Sequence, residues 1–463
     1  MNIRLNINKI KTIIMYLIAG LPGCCLILGS VKLRLSLLLG IGFIVLYALL
    51  NTKTFYKELK QTFSNVFGKI LLVWIIWCFI SVIYNVIFSG YSLTAGLYYF
   101  FFHGILLILM PYYLAYTIVT KMKNEQVIKY YLIFVFTIYV LGLINYIFLY
   151  SGIPFLQSFF SDYIVNTRQD SGYSELFRVK STFVEPSYFA NFICCNLPLC
   201  YLFVNAKFQI SSNKTFNYIV KKTMWIVAWF LIITTKSPIF ILFAVLISFA
   251  YVLFYINKEC LKRFFIIFTI LLLFLFLFNI LIIDNINIDI SQTFIKRIQA
   301  TIDSFGSFEK FIIVETSLAT RVVNYVNQFI LFTNNIIFGV GYGNIIEPLR
   351  QQFSLSPLPL TYEIKGKLAT GMANSTIAWM SLAETGLIGT LLLYTFFFII
   401  IRKTIYLVKL LKNTNNVFFI RGILWAFFII TIISFYDGEF AGIIVLLYAF
   451  MAGYYPKLIK NNN

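Results

Sequence analysis

The chain has 463 residues, of which 60% are hydrophobic and only 12% charged, and its formal net charge is +20. No water-soluble fold can hide that much apolar surface, so the composition excludes a soluble domain. The positive balance has to be read together with where the cations fall along the chain.

A helix crosses a bilayer core in about 20 apolar residues. Runs of that kind recur near residues 12–30, 35–50, 70–89, 97–120, 130–150, 188–205, 224–235, 237–257, 264–283, 380–401, 417–436 and 440–455. The expectation is one integral membrane domain over residues 1–463, all-α and polytopic, with about 11–12 transmembrane helices. The first run follows a basic start (Arg4, Lys9, Lys11) and passes through Leu21-Pro22-Gly23-Cys24, which resembles a lipoprotein cleavage site. Proline is wrong at such a site and the apolar run continues past it, so an uncleaved signal anchor is expected.

With the amino terminus inside and every run crossing once, the loops on the cytoplasmic side hold only three acids, Glu58, Glu125 and Glu259. Nearly the whole net charge of +20 then lies on that side, as the positive-inside rule requires. Both termini are cytoplasmic if twelve spans are present. The basic balance reports membrane orientation, and nucleic acid is not the expected partner. The seven cysteines (24, 25, 78, 194, 195, 200 and 260) fall in spans or at a cytoplasmic edge, so no disulfide is expected.

Metal chemistry is poorly supplied. The single histidine, His103, sits inside an apolar run, where a hydrogen-bonded packing role is favoured over a catalytic one. No histidine cluster and no D-x-D pair exist, and DNINID (284–289) reads as readily as a turning loop as a ligand pair. Metal-dependent sugar transfer is disfavoured, and no cofactor or metal is expected.

Two outer loops are long, residues 151–187 and 284–375. Loops of that length carry either a function or a linker. The first ends in FRVKSTFVEPSYFANF (177–192), which sets Arg178, Lys180 and Glu185 just before an apolar run. Its aromatics (Phe155, Phe159, Phe160, Tyr163, Tyr173, Phe177) suit either sugar stacking or interfacial anchoring. The second contains TRVVNYVNQFILFTNNIIFGVGYGN (320–344). There Val322, Val326, Phe329, Phe332 and Ile336 recur at helical spacing, with Arg321, Asn324 and Gln328 on the opposite face. The spacing predicts an amphipathic helix lying along the membrane surface or capping a cavity. GVGYGN (339–344) fails the G-x-G-x-x-G fingerprint and follows no strand, so its glycines read as a helix stop.

The outer cations Arg178, Lys180, Lys236 and Arg321 sit on the side where cations are under-used. They either pair with acids and headgroups or converge on an anion. A pyrophosphate fits the second case, because arginine forks hold phosphate oxygens bidentately and stay charged. Glu185 and Glu384 are the nearest carboxylates, placed to orient an arginine or take a proton from a hydroxyl. For Glu384 a first-turn helix-dipole role serves equally well.

At these residues the sequence resembles the bacterial O-antigen polymerase and ligase superfamily, the Wzy-like membrane glycosyltransferases. Arg178 with TFVEPSYFA (182–190), Arg321 followed by GVGYGN, and ANSTIAWMSLAETGLIG (373–389) carry the resemblance, and TTKSP (234–238) is a weaker match. The resemblance implies a GT-C-like enzyme that needs no metal. It would join undecaprenyl-pyrophosphate-linked repeat units at the outer face of a bacterial inner membrane. Its partners would be the lipid-linked oligosaccharide, membrane lipid and a chain-length regulator protein. Arg178, Arg321, Glu185 and Glu384 would be catalytic, while Lys180, Lys236, Asn324, Tyr342 and Asn374 would bind substrate. Arg178 and Arg321 would hold the donor pyrophosphate, with Glu185 positioning Arg178. Many relatives carry a histidine just before the last motif's asparagine; here the stretch is Gly371-Met372-Ala373-Asn374, which counts against a ligase acting on lipid A core. A flippase or transporter would show internal repeats and mid-span charges, and neither is evident.

Overall fold

The computed structural model describes residues 7–20, 25–28, 31–159, 178–183, 185–235, 237–255, 316–360, 376–412 and 416–435, with further positions at 307, 310, 365, 414, 450–451, 453–454 and 457. The expected runs at 264–283 and, for the most part, 440–455 lie outside them, as does much of both long outer loops.

Helix α1 (Ile7–Gly20) leads to a short antiparallel hairpin, β1 (Cys25–Leu28) paired with β2 (Val31–Arg34). The run expected to cross at 12–30 therefore stops as a helix at Gly20. Pro22 follows two residues later, and proline lacks the N–H that a continuing helix needs. Helix α2 (Leu35–Leu50) then bends by 118° into α3 (Thr52–Ser64). The outward face of α3 carries Lys53, Lys57 and Lys60, so α3 lies along the surface instead of prolonging the span.

Helix α4 (Val66–Ser89) starts where the Asn65 side chain accepts the Gly68 N–H at 2.9 Å, and it stops at Gly90, whose φ is 68°. Such a left-handed stop favours glycine. Helix α5 (Leu93–Tyr99) runs through π-helical turns at Phe100–Leu109 into α6 (Met110–Lys121), giving one helix of 29 residues. Next come α7 (Asn124–Leu149), α8 (Pro154–Phe159), α9 (Pro186–Val204), α10 (Lys214–Thr234) and α11 (Pro238–Tyr255). The remainder are α12 (Thr316–Asn334), α13 (Ile346–Ser354), α14 (Ile377–Leu410) and α15 (Val417–Ile433).

Six of these helices are long and apolar enough to cross a bilayer, or seven if the bent α2–α3 pair counts as one. The protein is a helical, multi-pass membrane protein, with one small hairpin among the described residues. Helix α9 is its centre, buried along nearly its whole length and packed against α10, α11 and α15. Gly422 lets α15 approach, since a methyl there would lie 2.8 Å from Leu199 Cδ1. Small residues at helix crossings serve this purpose in membranes, where close packing replaces the hydrophobic drive.

The end of the bundle expected in the cytoplasm is tied by a buried cluster around Glu58. Lys11 of α1 meets Glu58 Oε2 at 2.7 Å, and Tyr47 of α2 donates to Oε1 at 3.0 Å. Tyr113 and Lys121 of α6 donate to the same carboxylate. Burial alone would push the Glu58 carboxyl up, but the hydrogen bonds from Lys11, Lys121 and Tyr113 outweigh it and hold the carboxyl at about 2.

That value lies below the unfolded one of about 4.3. The cluster's contribution is therefore complete above pH ~4.3 and is lost as pH falls through about 2. Melts of the detergent-solubilised protein from neutral pH down to pH ~2 should show the loss, and Glu58→Gln should flatten it. Glu58→Ala, which strands the buried Lys11, should cost about 3–5 kcal/mol at neutral pH. Melts for Glu58→Ala that match wild type would contradict the cluster.

Candidate functional site

From Lys11, α1 rises about 13 Å to Gly20, and the carbonyl there accepts the Thr182 hydroxyl. The segment 178–183 thus sits at the end of the bundle away from Glu58. Segments without regular structure are tolerated in such surroundings only when their backbone groups find partners. Here Asn145, buried near the end of α7, accepts the Lys180 N–H at 3.0 Å and the Ser181 N–H at 3.1 Å on one oxygen. Ser181 is held in the left-handed region, with φ at 51°. The Val179 N–H donates to Thr234 O at 3.1 Å.

These ties fix Arg178 over the bend between α10 and α11. Its Nε donates to Thr235 O at 2.8 Å and its Nη2 to Ser237 Oγ at 3.0 Å. The TTKSP stretch therefore meets the Arg178 loop, with Lys236 itself outside the described residues. Lys180 is buried. Glu185 is exposed and precedes Pro186 at the head of α9, and its Oε2 accepts the Ser187 hydroxyl at 3.2 Å.

A second junction forms where α14 breaks at Gly386, whose φ is 67° and ψ −168°. In an unbroken helix the Leu387 N–H would bond to the Ala383 carbonyl. Instead Leu387 N–H donates to Ile336 O at 2.7 Å, and Ala383 O accepts the Val340 N–H at 2.8 Å. Glu384 O accepts the Gly341 N–H at 3.0 Å and also a hydrogen bond from Ser81 Oγ at 3.0 Å. Thr385 O accepts Trp77 Nε1 at 2.9 Å. The Leu387 N–H and the carbonyls of Ala383, Glu384 and Thr385 thus find partners in 336–341 or α4, as a broken span requires.

The glycine-rich stretch is therefore a docking strip and not simply a helix stop; α12 has already ended at Asn334. Gly339, Gly341 and Gly343 all have positive φ. A methyl on Gly339 would lie 2.4 Å from the Glu384 carbonyl carbon. Phe338 is stacked against Trp77 and Tyr84, with centroids at 5.2 Å and 4.0 Å. Tyr342 is half-buried, edge-on to Trp74 at 6.0 Å. Glu384 is buried, accepting the Gly343 N–H on one oxygen, while its Oε1 has no partner among the described residues.

Helix α12 buries a mixed face, Val323 and Leu331 together with Asn324 and Gln328, and turns part of its expected apolar face outward. Phe329, Ile336 and Ile337, on and just beyond it, are 47%, 50% and 54% exposed, whereas Asn324 is 3% and Gln328 0% exposed. Arg321 is half-buried on the inward face. Asn374 and the side chain of His103 lie outside the described residues.

Sequence reasoning passed over Asn145, which ties the first junction, and Trp77, Ser81 and Asn85, which tie the second, Asn85 Nδ2 donating to Gly339 O at 3.1 Å. A signal was present: polar residues inside apolar runs, with Ser81 and Asn85 one turn apart on α4. No protein-family model matches the chain, and no curated protein matches it either.

Proposed function

We propose that the protein is a membrane glycosyltransferase that polymerises undecaprenyl-pyrophosphate-linked repeat units at the outer face of a bacterial inner membrane. The observation that carries this reading is the pairing of the four resembling stretches. Arg178 and its loop lock onto 234–238, and 339–344 locks onto 383–387 of the last motif. Residues far apart in the chain thus meet at two separate junctions, and the reading takes these as the two halves of its site.

In the proposed reaction the terminal hydroxyl of a fresh repeat unit attacks the anomeric carbon of the growing chain and gives up its proton to the Glu185 carboxylate. The bond from that carbon to the pyrophosphate breaks, and the carrier leaves with both bonding electrons. Arg178 and Arg321 neutralise the leaving pyrophosphate, the place where fixed donors accelerate such a step most. Of the two carboxylates, exposed Glu185 is the one an aqueous acceptor can meet. Buried Glu384, bonded to Gly343, is a positioning residue for the glycine strip.

The test is deletion of the gene in its source bacterium, with complementation, followed by gel analysis of the surface polysaccharide. A ladder that collapses to core plus one repeat unit is expected, because ligation and flipping still work. If no repeat unit reaches the core, the block lies at ligation, flipping or earlier, and the polymerase reading fails.

A further inference from the structure

Helix α3 carries Lys53, Lys57 and Lys60 on one exposed stripe, at spacings of three and four residues that make them neighbours. Among the described residues none of the three forms an ion pair. The one acid of α3, Glu58, faces the other way and is engaged by Lys11 and Lys121. The positive charge of the stripe is therefore left for something outside the chain. Its presentation needs no movement, because the buried face is held by the Glu58 cluster and by Phe55, edge-on to Tyr47 and Tyr113.

The flanks of the stripe show what lies beside it. By helical spacing Tyr56, Phe63 and Leu59 follow on one side, and Gln61 and Thr54 on the other. Tyr56 is 68% exposed, and a ring with a polar tip suits the level of lipid headgroups. Both ends of α3 continue into residues fit for acyl chains. Leu49 and Leu50 at the end of α2 are 73% and 72% exposed, and Val66 at the start of α4 is 56% exposed. With the aromatic flank toward the acyl chains and the polar flank toward water, the lysines fall between them, at the depth of the phosphates.

We propose that α3 is a binding site for anionic phospholipid of the cytoplasmic leaflet, with Lys53, Lys57 and Lys60 holding the phosphates and Tyr56 packing beside the headgroup. Lysine ammoniums are hydrated point charges on flexible stems, suited to a fluid layer of phosphates. A zwitterionic headgroup brings its own cation and gains little there. The site lies at the end of the bundle away from the Arg178 loop, so it goes beyond the polymerase reading and does not depend on it. Because Glu58 ties α3 to α1, α2 and α6, lipid bound on α3 stabilises that whole end by linkage.

The test titrates the full-length protein in detergent with fluorescent phosphatidylglycerol, and with phosphatidylcholine of the same acyl chains. Wild type should bind the anionic lipid and melt higher with it, and should show neither effect with the zwitterionic one. Raising the salt from about 0.1 M to about 1 M should weaken the binding. Lys53→Gln, Lys57→Gln and Lys60→Gln combined should weaken it about 100-fold, since each lysine near an anionic surface contributes about fivefold. Without lipid this variant should melt like wild type, because the changes lie on exposed surface. Arginine at all three positions should keep the binding.

The matched control removes the same charge elsewhere on the cytoplasmic side: Lys207→Gln, Lys214→Gln and Lys222→Gln, all exposed, in and just before α10. It should bind like wild type. Equal loss in the two triple variants overturns the site and leaves only the general charge of that face. Equal binding of both lipids by wild type overturns it too. So does protection from melting by glycerol phosphate alone as strong as by the lipid, which would mark a site for soluble anions.

Discussion

Replacing Arg178 by alanine is expected to abolish surface polymer while leaving the chain in the membrane. The guanidinium is oriented by Thr235 O at 2.8 Å and Ser237 Oγ at 3.0 Å. Fixed donors of this kind stabilise developing charge without reorganising during the step, and removing one lowers the rate by about 10²–10³. A polymer needs many successive transfers, so a loss of that size in each should empty the ladder above its first rungs. Arg178→Lys keeps the charge, but an ammonium is a point donor that cannot hold both anchors and still fork a phosphate. It should fall well short of wild type. Ser237→Ala removes one anchor only, a change worth about 1.5–3 kcal/mol for a bond to a charged donor, and should shorten the ladder without clearing it. Gels are to be read beside immunoblots of the membrane fraction. Full-length polymer from Arg178→Ala at normal abundance would sink the clamp.

The spans were legible because lipid imposes a simple rule: about 20 apolar residues per crossing. Val66–Ser89, Asn124–Leu149 and Pro186–Val204 fall close to the runs read from composition. Where that rule does not govern, the sequence was a weaker guide. Residues 25–28 belong to the run read as the first span, but their backbone pairs with 31–34 as a hairpin. Periodicity in 320–336 separated two faces of α12 correctly and said nothing about which one turns inward. In water the apolar face would be buried. Here Phe329 and Ile336 are exposed, while Asn324 and Gln328 are buried together with Val323 and Leu331. The break in α14 left still less trace, since a glycine inside a helical pattern is ordinarily tolerated, and Gly389 three residues on stays helical. Its cause lies in Ile336 and Val340, far away in the chain.

That break carries the second large expectation. Gly386→Ala should leave little folded protein in detergent, because two penalties coincide. The first is conformational: φ 67° with ψ −168° is a region essentially reserved for glycine, and other residues there cost about 1–3 kcal/mol. The second is steric, since the new methyl would sit 2.1 Å from Ile337 O, a backbone atom that cannot swing aside. Relief would require the strip 336–341 to leave α14. That exposes the Val340–Ala383, Gly341–Glu384 and Leu387–Ile336 bonds to loss, each stranding buried groups at about 1–3 kcal/mol. Together these approach the whole stability of an ordinary domain, about 5–15 kcal/mol. Gly42→Ala is the matched control: it lies within α2 with nothing inside 4 Å of the added methyl, and it should be neutral or stabilising by about 0.5–1 kcal/mol. Size-exclusion profiles and melts of the two variants side by side check the argument. If Gly386→Ala melts within about 2 °C of wild type, α14 is not broken at that residue, and the glycine strip has no freed carbonyls to hold.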